Sequence, residues 1–578
     1  MKLSNLTIAL LSCTATCAVA QDTSTPDYGY VSKVWMSDLG NGYYKNPILY
    51  ADYSDPDLCR VGDDYYMTAS SFNCVPGLPI LHSRDLVNWT IIGHALDRVV
   101  PAEAYEGAQT STPTTVTDGR IFIDNTFDRP RHGDGVWAPA IRYHNGEFYI
   151  YWGDPDNGIF MVKTTDPAGQ WDAPVLVHKS KGIIDTCPFW DEDGRAYIGH
   201  GYAGSRAGLK SILGLIEMSP DGTRTIGEDQ VIYDGHVDNV TIEGVKLYKR
   251  DGYYYILCPA GGVPTGYQLA MRSKSIYGPY DWKKVLAQGE TAINGPHQGG
   301  LVDTPDGKEE WFIHFQDVDA YGRIAHLQPV HWVDGWPVMG EDKDGDLCGD
   351  PVIKHKKPSL PKQSACAPVE SDDFNHTGLG LQWQWNSNPN ALWWFGDQRQ
   401  GVLRLFSWPW VDSEGKAVDN LWGVGNILLQ KFPAPNFRAT AKVRFHPSDK
   451  HMGERCGLIV MGLDYAGITM TNTPDGIKMS QMECVKAKKG NKEKENSESI
   501  TIDKDQYVWL RVEVKQKGQD ALCTFSYSKD GKKFSSIGES FKAQPGQWIG
   551  AKVGMFCTRE KLVTNDGGWM DADSFFID

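Results

Sequence analysis

Short stretches of alternating apolar and polar residues, separated by glycine-rich turns, run through the whole chain. One unit recurs five times in the first 340 residues: a tight turn followed by a strand of aromatic and β-branched residues. The copies lie at 62–67, 145–150, 193–198, 251–256 and 306–311. Gly and Asn tolerate the positive φ of a tight turn, and the residues that follow suit a pleated surface. Each copy therefore predicts a β-hairpin, and we expect an all-β chain.

The spacing of the five turns indicates how the hairpins are arranged. The turn glycines are 84, 48, 58 and 55 residues apart, close to one four-stranded propeller blade per interval. The first interval is long because it holds an insertion near residues 103–123. The pattern predicts a five-bladed β-propeller. An irregular β-sandwich with common Asp-Gly turns is the alternative, and the blade-like spacing argues against it.

A chemically distinctive residue precedes each turn glycine by seven to ten positions: Asp55, Trp137, Asp185, Glu243 and His297. The first strand of each propeller blade lines the central axis, so matching positions in the five blades are expected to converge at one end of the channel. Carboxylates gathered in one pocket repel each other, which raises the pKa of at least one of them. Such clusters serve acid-base chemistry or cation binding.

Glycoside hydrolysis needs this kind of pocket. One carboxylic acid protonates the leaving oxygen and one carboxylate activates water, about 6.5–9.5 Å apart for inversion and about 5–5.5 Å apart for retention. The sequence contains no GxSxG, HExxH or Walker-type motif, so esterase, protease and nucleotide-dependent functions lack their signatures.

Six segments carry a resemblance to a known family. They read NPIL and SDPD within 46–57, PILHSRDLVNW at 79–89, VWAP at 136–139, IDTCPF at 184–189, TIEG at 241–244 and PHQGG at 296–300. Together they resemble glycoside hydrolase family 43, the inverting β-xylosidases and α-L-arabinofuranosidases. The resemblance implies Asp55 as general base, Glu243 as general acid, and Asp185 as the residue that raises the pKa of that acid and holds it in place.

The same resemblance suggests further site residues. It implies that Arg323 reaches sugar hydroxyls and the Asp185–Glu243 pair, with a surface salt bridge as the alternative. Phe72 and Trp137 are candidate walls of the sugar subsite, with core packing as the alternative. His297 is expected near the channel axis, where it either holds a calcium ion through water or is a plain core histidine. No cofactor is expected to be required, and a structural calcium ion is one of the two alternatives for His297.

The chain changes character after the propeller. Residues 353–370 are rich in Lys, Pro and Ser and are predicted to be a linker. Alternation in 437–445 and 508–514 then predicts a β-sandwich. Residues 371–375 and 381–385 resemble the lectin-like C-terminal domain of family 43 β-xylosidases, which implies a sandwich that packs against the propeller and narrows its pocket. Trp393 and Trp394 are either core residues or part of a carbohydrate-binding surface.

The N-terminus reads as a secretory signal, with Lys2, an apolar stretch at 6–11, and Ala18-Val19-Ala20 before Gln21. Lipid attachment at Cys13 is the alternative. The predicted organisation is a signal peptide at 1–20, a catalytic propeller at 21–352, a linker at 353–370 and a sandwich at 371–578, in a secreted extracellular or periplasmic protein.

The formal net charge of −16 argues against nucleic acid or an anionic membrane as partner. Cys348 and Cys366 are a candidate disulfide across the linker, with free thiols as the alternative.

These observations predict an inverting exo-glycoside hydrolase that releases terminal xylose from xylo-oligosaccharides or arabinosylated polysaccharides of hemicellulose. α-L-Arabinofuranosidase activity is expected either beside this activity or as the main one. Residues 51–54 and the insertion near 103–123 depart from the common xylosidase pattern and leave substrate choice open. A non-catalytic carbohydrate-binding propeller is the alternative from another class.

Overall fold

The computed structural model describes residues 27–99, 114–117, 120–123, 128–410, 418–495, 499–560 and 566–578. The predicted signal peptide at 1–20 lies outside the described residues, as does much of the insertion near 103–123. Within the insertion, two strands at 114–117 and 120–123 pair as an antiparallel hairpin.

Strands of the first part of the chain form five antiparallel sheets arranged as propeller blades, which confirms the predicted propeller. The chain enters through β1 (Tyr43–Lys45) and β2 (Leu49–Asp52). Blade one contains β3 (Asp57–Val61), β4 (Asp64–Thr68), β5 (Gly77–Ser83) and β6 (Thr90–Leu96). The insertion hairpin is β7 (Thr114–Thr117) and β8 (Arg120–Ile123). Blade two contains β9 (Trp137–His144), β10 (Glu147–Asp154), β11 (Gly158–Thr164) and β12 (Val175–Lys179). Blade three contains β13 (Ile183–Trp190), β14 (Ala196–Tyr202), β15 (Ile212–Met218) and β16 (Gln230–Asp234). Blade four contains β17 (Lys246–Arg250), β18 (Tyr253–Ala260), β19 (Tyr267–Ser273) and β20 (Asp281–Leu286).

The fifth blade closes the ring. It contains β21 (His297–Asp303), β22 (Glu310–Asp317), β23 (Arg323–Val333) and β24 (Trp336–Met339). The entering strand β2 joins this blade by pairing with β23, with Leu49 opposite Ala325 and Asp52 opposite Ile324. The first and last parts of the propeller are therefore held together by backbone hydrogen bonds.

Part of the segment predicted as a linker returns to the propeller. Strand β25 (Lys354–Lys356) pairs with β1, which places Tyr44 opposite His355. The chain from 357 onward then leads to the second domain.

The second domain is a sandwich of two antiparallel-rich sheets, as predicted. One sheet contains β26 (Gln384–Trp385), β29 (Trp408–Pro409), β30 (Ile427–Lys431), β32 (Arg455–Met461), β33 (Tyr465–Thr473), β34 (Gly476–Cys484), β35 (Lys494–Glu495), β36 (Ile500–Ile502) and β41 (Lys552–Arg559). The other contains β27 (Trp394–Asp397), β28 (Val402–Phe406), β31 (Asn436–His446), β37 (Tyr507–Lys517), β38 (Asp520–Ser528), β39 (Ser535–Ser536), β40 (Phe541–Ala543) and β42 (Trp569–Ile577). Buried and more exposed positions alternate along β31 and β37, because one face of that sheet packs on the core.

Helical structure in the described residues is limited to single turns: α1 (Gly204–Ala207) and 3-10 turns at Asp319–Tyr321, Leu421–Gly423 and Ala487–Lys489. None of the described helices has the length and apolarity needed to cross a membrane.

The two domains share a continuous packed interface. Tyr50, Tyr321 and Ile324 of the propeller belong to the same hydrophobic cluster as the sandwich core. Val75 and Trp385 exchange two backbone hydrogen bonds across the boundary, at 3.0 and 2.6 Å. The sandwich is therefore fused to the propeller through packing and through backbone pairing.

The structure bears on the predicted Cys348–Cys366 disulfide and on the role of Trp393 and Trp394. Cys348 and Cys366 do not pair: all the cysteines from Cys59 onward are free thiols in the described part of the chain, and most are buried. Trp393 is buried and packs against Trp385 at a ring distance of 5.4 Å, and Trp394 packs against the same core. Trp393 is therefore a core residue, whereas Trp394 is only partly buried.

Candidate active site

One residue with positive φ occurs where the innermost strand of each blade starts. These residues are Asp55 (52°), Ala138 (38°), Asp185 (60°), Gly244 (66°) and Gln298 (40°). For the four that are not glycine, this conformation costs about 1–3 kcal/mol each. The pairing register shifts nearby in blades three and five, between Ile184 and Cys187 and between His297 and Gly299. Such irregularities re-aim side chains and are typical of functional sites.

Contacts between different blades show that these positions converge. Asp55 of the first blade contacts Arg323 of the fifth, and Asp185 of the third contacts Gly244 of the fourth and Gln298 of the fifth. The predicted Trp137, Glu243 and His297 each lie one residue before the strained position of their blade. The side chains predicted to share one pocket thus come from the same end of the five innermost strands, with an offset of one residue from the positive-φ position in three blades.

Asp55 is held by several hydrogen-bond donors. Ser54 Oγ and Ser70 Oγ donate to its Oδ2 at 2.8 and 2.6 Å, and Arg323 Nη1 donates to its Oδ1 at 3.2 Å. Ser70 is itself fixed by the backbone N–H of Ala138, 2.7 Å from its Oγ. Hydrogen bonds from these donors and a positive charge favour the ionised form of a carboxyl group. Ser54 and Ser70 had no signal in the sequence that distinguished them from other serines.

Arg323 lies at the start of β23 and is buried, so the surface salt bridge considered for it is wrong. Its Nη1 donates to Ser54 Oγ at 2.8 Å as well as to Asp55, and its Nε lies 3.7 Å from Asp317 Oδ2. The structure thus places Arg323 against the predicted base, whereas the resemblance led us to expect it at the Asp185–Glu243 pair.

Asp185 is buried beside Glu243. Its Oδ2 accepts the backbone N–H of Gly244 at 2.8 Å, and its Oδ1 accepts Gln298 Nε2 at 3.4 Å. Burial raises the pKa of Asp185 to about 7, and repulsion from the Glu243 carboxylate is the next largest cause. Because Gly244 follows Glu243 directly, Asp185 also fixes the backbone that carries Glu243.

Glu243 is the more accessible of this pair, with 28% of its side chain exposed. His297 Nε2 forms a 3.0 Å hydrogen bond with Glu243 Oε1, and the His297 side chain is 1% exposed. His297 is therefore a direct neighbour of the predicted acid rather than a remote core residue. Its Nδ1 is buried without a hydrogen-bond partner among the described residues.

Aromatic rings from both domains lie at the rim. Phe72 and Trp137 meet edge to face at 6.2 Å, and Trp548 of the sandwich meets Trp137 at 6.1 Å. Phe72 is almost fully buried, whereas Trp137 is half-buried and Trp548 is 48% exposed. Trp137 and Trp548 therefore offer ring surface to a ligand, and Phe72 supports Trp137 from beneath. Trp548 lies in a loop about 400 residues from Trp137, so nothing in the sequence placed it here.

Two family models match the chain, one for each domain. The family model "Glycosyl hydrolases family 43" matches residues 44–337, and the model "Beta xylosidase C-terminal Concanavalin A-like domain" matches residues 371–577. This chain belongs to glycosyl hydrolases family 43. The family 43 enzyme is 37% identical to a putative beta-xylosidase of Xylanibacter ruminicola, over 92% of this chain and 90% of the relative.

Two further curated relatives and one solved structure extend the comparison. A beta-xylosidase of Formosa agariphila is 32% identical over 99% of this chain and 96% of its own length. A non-reducing end alpha-L-arabinofuranosidase of Bacteroides ovatus is 31% identical over 75% of this chain and 76% of its own length. The crystal structure of a GH43 protein from Bacillus licheniformis superimposes with a TM-score of 0.75 at 26% identity, covering 93% of this chain and 99% of that one. The family 43 enzyme is thus a glycoside hydrolase, with the propeller and sandwich of its family.

Replacing Asp185 with Asn should make the enzyme more stable relative to wild type as the pH rises. A carboxyl group whose pKa is raised on folding stabilises the folded state while it is protonated, and this contribution is lost as the pH rises toward about 7. Asn stays neutral, so the D185N minus wild-type difference in unfolding free energy should increase by roughly 2–3 kcal/mol between pH 5 and pH 8. Urea unfolding at both pH values measures it. The exposed turn residue Asp193 provides the matched control D193N, and a pH-independent difference for D185N would contradict the assignment.

Proposed function

We propose that this enzyme is an inverting exo-β-D-xylosidase that removes terminal xylose from hemicellulose oligosaccharides. The observation that carries the proposal is the contrast between two carboxyl sites at one end of the propeller. Asp55, the proposed base, accepts hydrogen bonds from two hydroxyl groups and a guanidinium, whereas Asp185, beside the proposed acid Glu243, has a pKa raised to about 7 by burial and by repulsion from Glu243. Inverting hydrolysis needs one group of each kind.

The geometry supports a division of roles. Glu243, the exposed member of the pair, protonates the glycosidic oxygen as the bond from the anomeric carbon breaks. Asp55 takes a proton from water, whose oxygen bonds to the anomeric carbon from the opposite face, so the product has the inverted configuration. Asp185, whose pKa is raised to about 7 chiefly by burial, lies beside the acid as its modulator and holds the backbone next to Glu243. Arg323 holds the Asp55 carboxylate in place through a hydrogen bond from its guanidinium.

The sandwich supports attack on chain ends. Its Trp548 narrows the rim beside Trp137, and the loop that carries it packs closely on the propeller. A Cβ at Gly133 of the propeller would lie 2.3 Å from Gln547 Cγ, which shows how little space separates the two domains here. A pocket walled on this side suits a terminal sugar better than the middle of a long chain.

The choice of xylose rests on the relatives. Two of the three curated relatives described above carry the name beta-xylosidase, and both align over more than nine tenths of this chain. The arabinofuranosidase of Bacteroides ovatus aligns over 75% of it and keeps α-L-arabinofuranosidase as a second candidate activity. We also propose secretion, on the signal-like residues 1–20.

An assay with paired aryl β-D-xyloside and aryl α-L-arabinofuranoside tests the proposal. We expect free xylose as the main product, and NMR of the first-formed sugar should show the α-anomer because the β-bond is broken with inversion. Asp55→Asn and Glu243→Gln should each lose about 10²–10⁴-fold in kcat while melting like wild type. Faster arabinose release would select the second candidate. A β-anomer as first product would contradict inversion, and no pentose release at all would favour a carbohydrate-binding protein.

Trp548→Ala tests the contribution of the sandwich to the rim. Loss of one aromatic contact worth about 1–1.5 kcal/mol should lower kcat/KM for xylobiose about tenfold, mainly through KM. The control is Phe576→Ala, which removes an exposed aromatic residue on β42 of the same domain. Equal kcat/KM for the two variants would show that Trp548 does not contact the sugar.

Calcium near His297 is a further proposal. The buried Nδ1 of His297 lacks a partner, which suits a water molecule and, through it, a hydrated calcium ion that would supply positive charge beneath the carboxylates. Direct coordination fits less well, because the described residues bring three possible ligand side chains together only at Asp342, Asp344 and Asp346, which are exposed.

Chelation should therefore lower both the melting temperature and the activity, and added calcium should restore them. The same chelation experiment on the Asp344→Asn variant distinguishes a calcium ion at His297 from one at the exposed cluster of Asp342, Asp344 and Asp346. If chelation has no effect on wild type, or if its effect disappears in D344N, there is no functional calcium at His297.

A further inference from the structure

Asp52 joins three parts of the molecule through one carboxylate. It is the last residue of β2, the strand that closes the propeller, and its side chain is buried. Its Oδ1 accepts the backbone N–H of Arg323 at 2.9 Å, and its Oδ2 accepts the backbone N–H of Gly550, in the sandwich, at 3.1 Å. Each carboxylate oxygen therefore accepts one backbone hydrogen bond, Oδ1 from the propeller and Oδ2 from the sandwich.

The backbones around this carboxylate are in close contact. A Cβ at Gly322 would lie 2.6 Å from Asp52 Cγ and 2.7 Å from the backbone nitrogen of Gly550. A Cβ at Gly550 would lie 2.8 Å from the backbone nitrogen of Gly322. The backbone N–H of Ala551 also donates to the carbonyl of Ala320 at 2.7 Å. The sandwich therefore packs directly on the turn that leads into Arg323, with no room for even one methyl group.

The backbone and the side chain of Arg323 both bind the short segment 52–55. Its backbone N–H binds Asp52, and its guanidinium binds Ser54 and Asp55, which lie two and three residues further along. A shift of the Asp52 contact would therefore change how the guanidinium meets Asp55. Other charged groups act on these positions: Lys431 of the sandwich and Asp317 interact electrostatically with Asp52, and Asp185 interacts with Asp55.

We propose that Asp52 is a positioning residue for hydrolysis, which transmits the docking of the sandwich to the base Asp55 through Arg323. This inference rests on the role proposed above for Asp55. Asp52 does not touch the reacting atoms; it sets the position of the guanidinium that binds Asp55. The sandwich then contributes to the site in two places: Trp548 packs beside Trp137 at the rim, and Gly550 binds Asp52.

The full-length variant Asp52→Asn tests the inference. Asn matches the shape of Asp, but its amide nitrogen must face one of the two N–H donors, so one hydrogen bond is lost together with the charge. We expect kcat/KM to fall about tenfold with little change in KM. The acidic limb of the pH profile should move by about half to one pH unit, because the Arg323 guanidinium changes its position against the proposed base.

Two further variants make the result interpretable. Gly550→Ala disturbs the same contact from the sandwich side without altering any charge, and it should move the acidic limb in the same direction. Glu370→Gln removes a buried carboxylate that binds Ser32 and has no contact with Arg323, so it should change the melting temperature without moving the limb.

The outcomes separate the inference from the proposed function. If Asp55→Asn is inactive while D52N and G550A keep the wild-type acidic limb, Asp52 is only structural and the inference fails although the function stands. If Asp55→Asn remains active, the proposed base is wrong and the inference fails with it.

Discussion

The pairing of β2 with β23 is the interaction on which the rest of the structure depends. It closes the propeller by joining the first strand of the ring to its last blade, and it places residues 52–55 beside the start of β23. Asp55 meets Arg323 only because of this seam, since the two residues are 268 positions apart in the chain. The sandwich docks at the same place, through Gly550 and Ala551. The predicted base is therefore located where ring closure, domain docking and a buried arginine coincide.

The site obtains two kinds of carboxyl group from one fold by giving them different surroundings. Asp55 accepts hydrogen bonds from two serine hydroxyls and from the guanidinium of Arg323. Asp185 is buried next to another carboxyl group, so charge is disfavoured there and its pKa rises. Both residues adopt a left-handed backbone conformation that ordinary residues avoid. The surrounding sheets, which bury large apolar surfaces in several clusters, offset that local cost.

The sequence was informative wherever the relevant signal is local. Five turn-and-strand units at blade spacing predicted the propeller, and alternation along residues 437–445 predicted one face of the sandwich. The three carboxylates were found because each stands at a similar distance before its turn. The positive-φ residues next to Trp137, Glu243 and His297 had no signal in the sequence, because a turn and the strand after it do not reveal the backbone conformation several residues earlier.

Contacts between distant segments were not predictable in the same way. Trp548 beside Trp137, Gly550 against Asp52, and Ser70 on Asp55 each depend on how whole blades and domains pack, and their residue types are common on any surface. The candidate pairing of Cys348 with Cys366 failed for the same reason, because closeness in the chain says nothing about closeness of two thiols in a β fold. Arg323 was identified, but its partner was not, since several carboxylates lie within reach of its part of the ring.

In the proposed mechanism, Asp55 and Glu243 lie on opposite sides of one scissile sugar bond. A crystal structure of the Glu243→Gln variant soaked with a xylo-oligosaccharide tests this claim most directly. We predict the glycosidic oxygen within hydrogen-bond distance of residue 243 and a water on Asp55, with the two carboxyl-derived groups roughly 6.5–9.5 Å apart. A sugar bound elsewhere, or one whose bond has both groups on the same face, would contradict it.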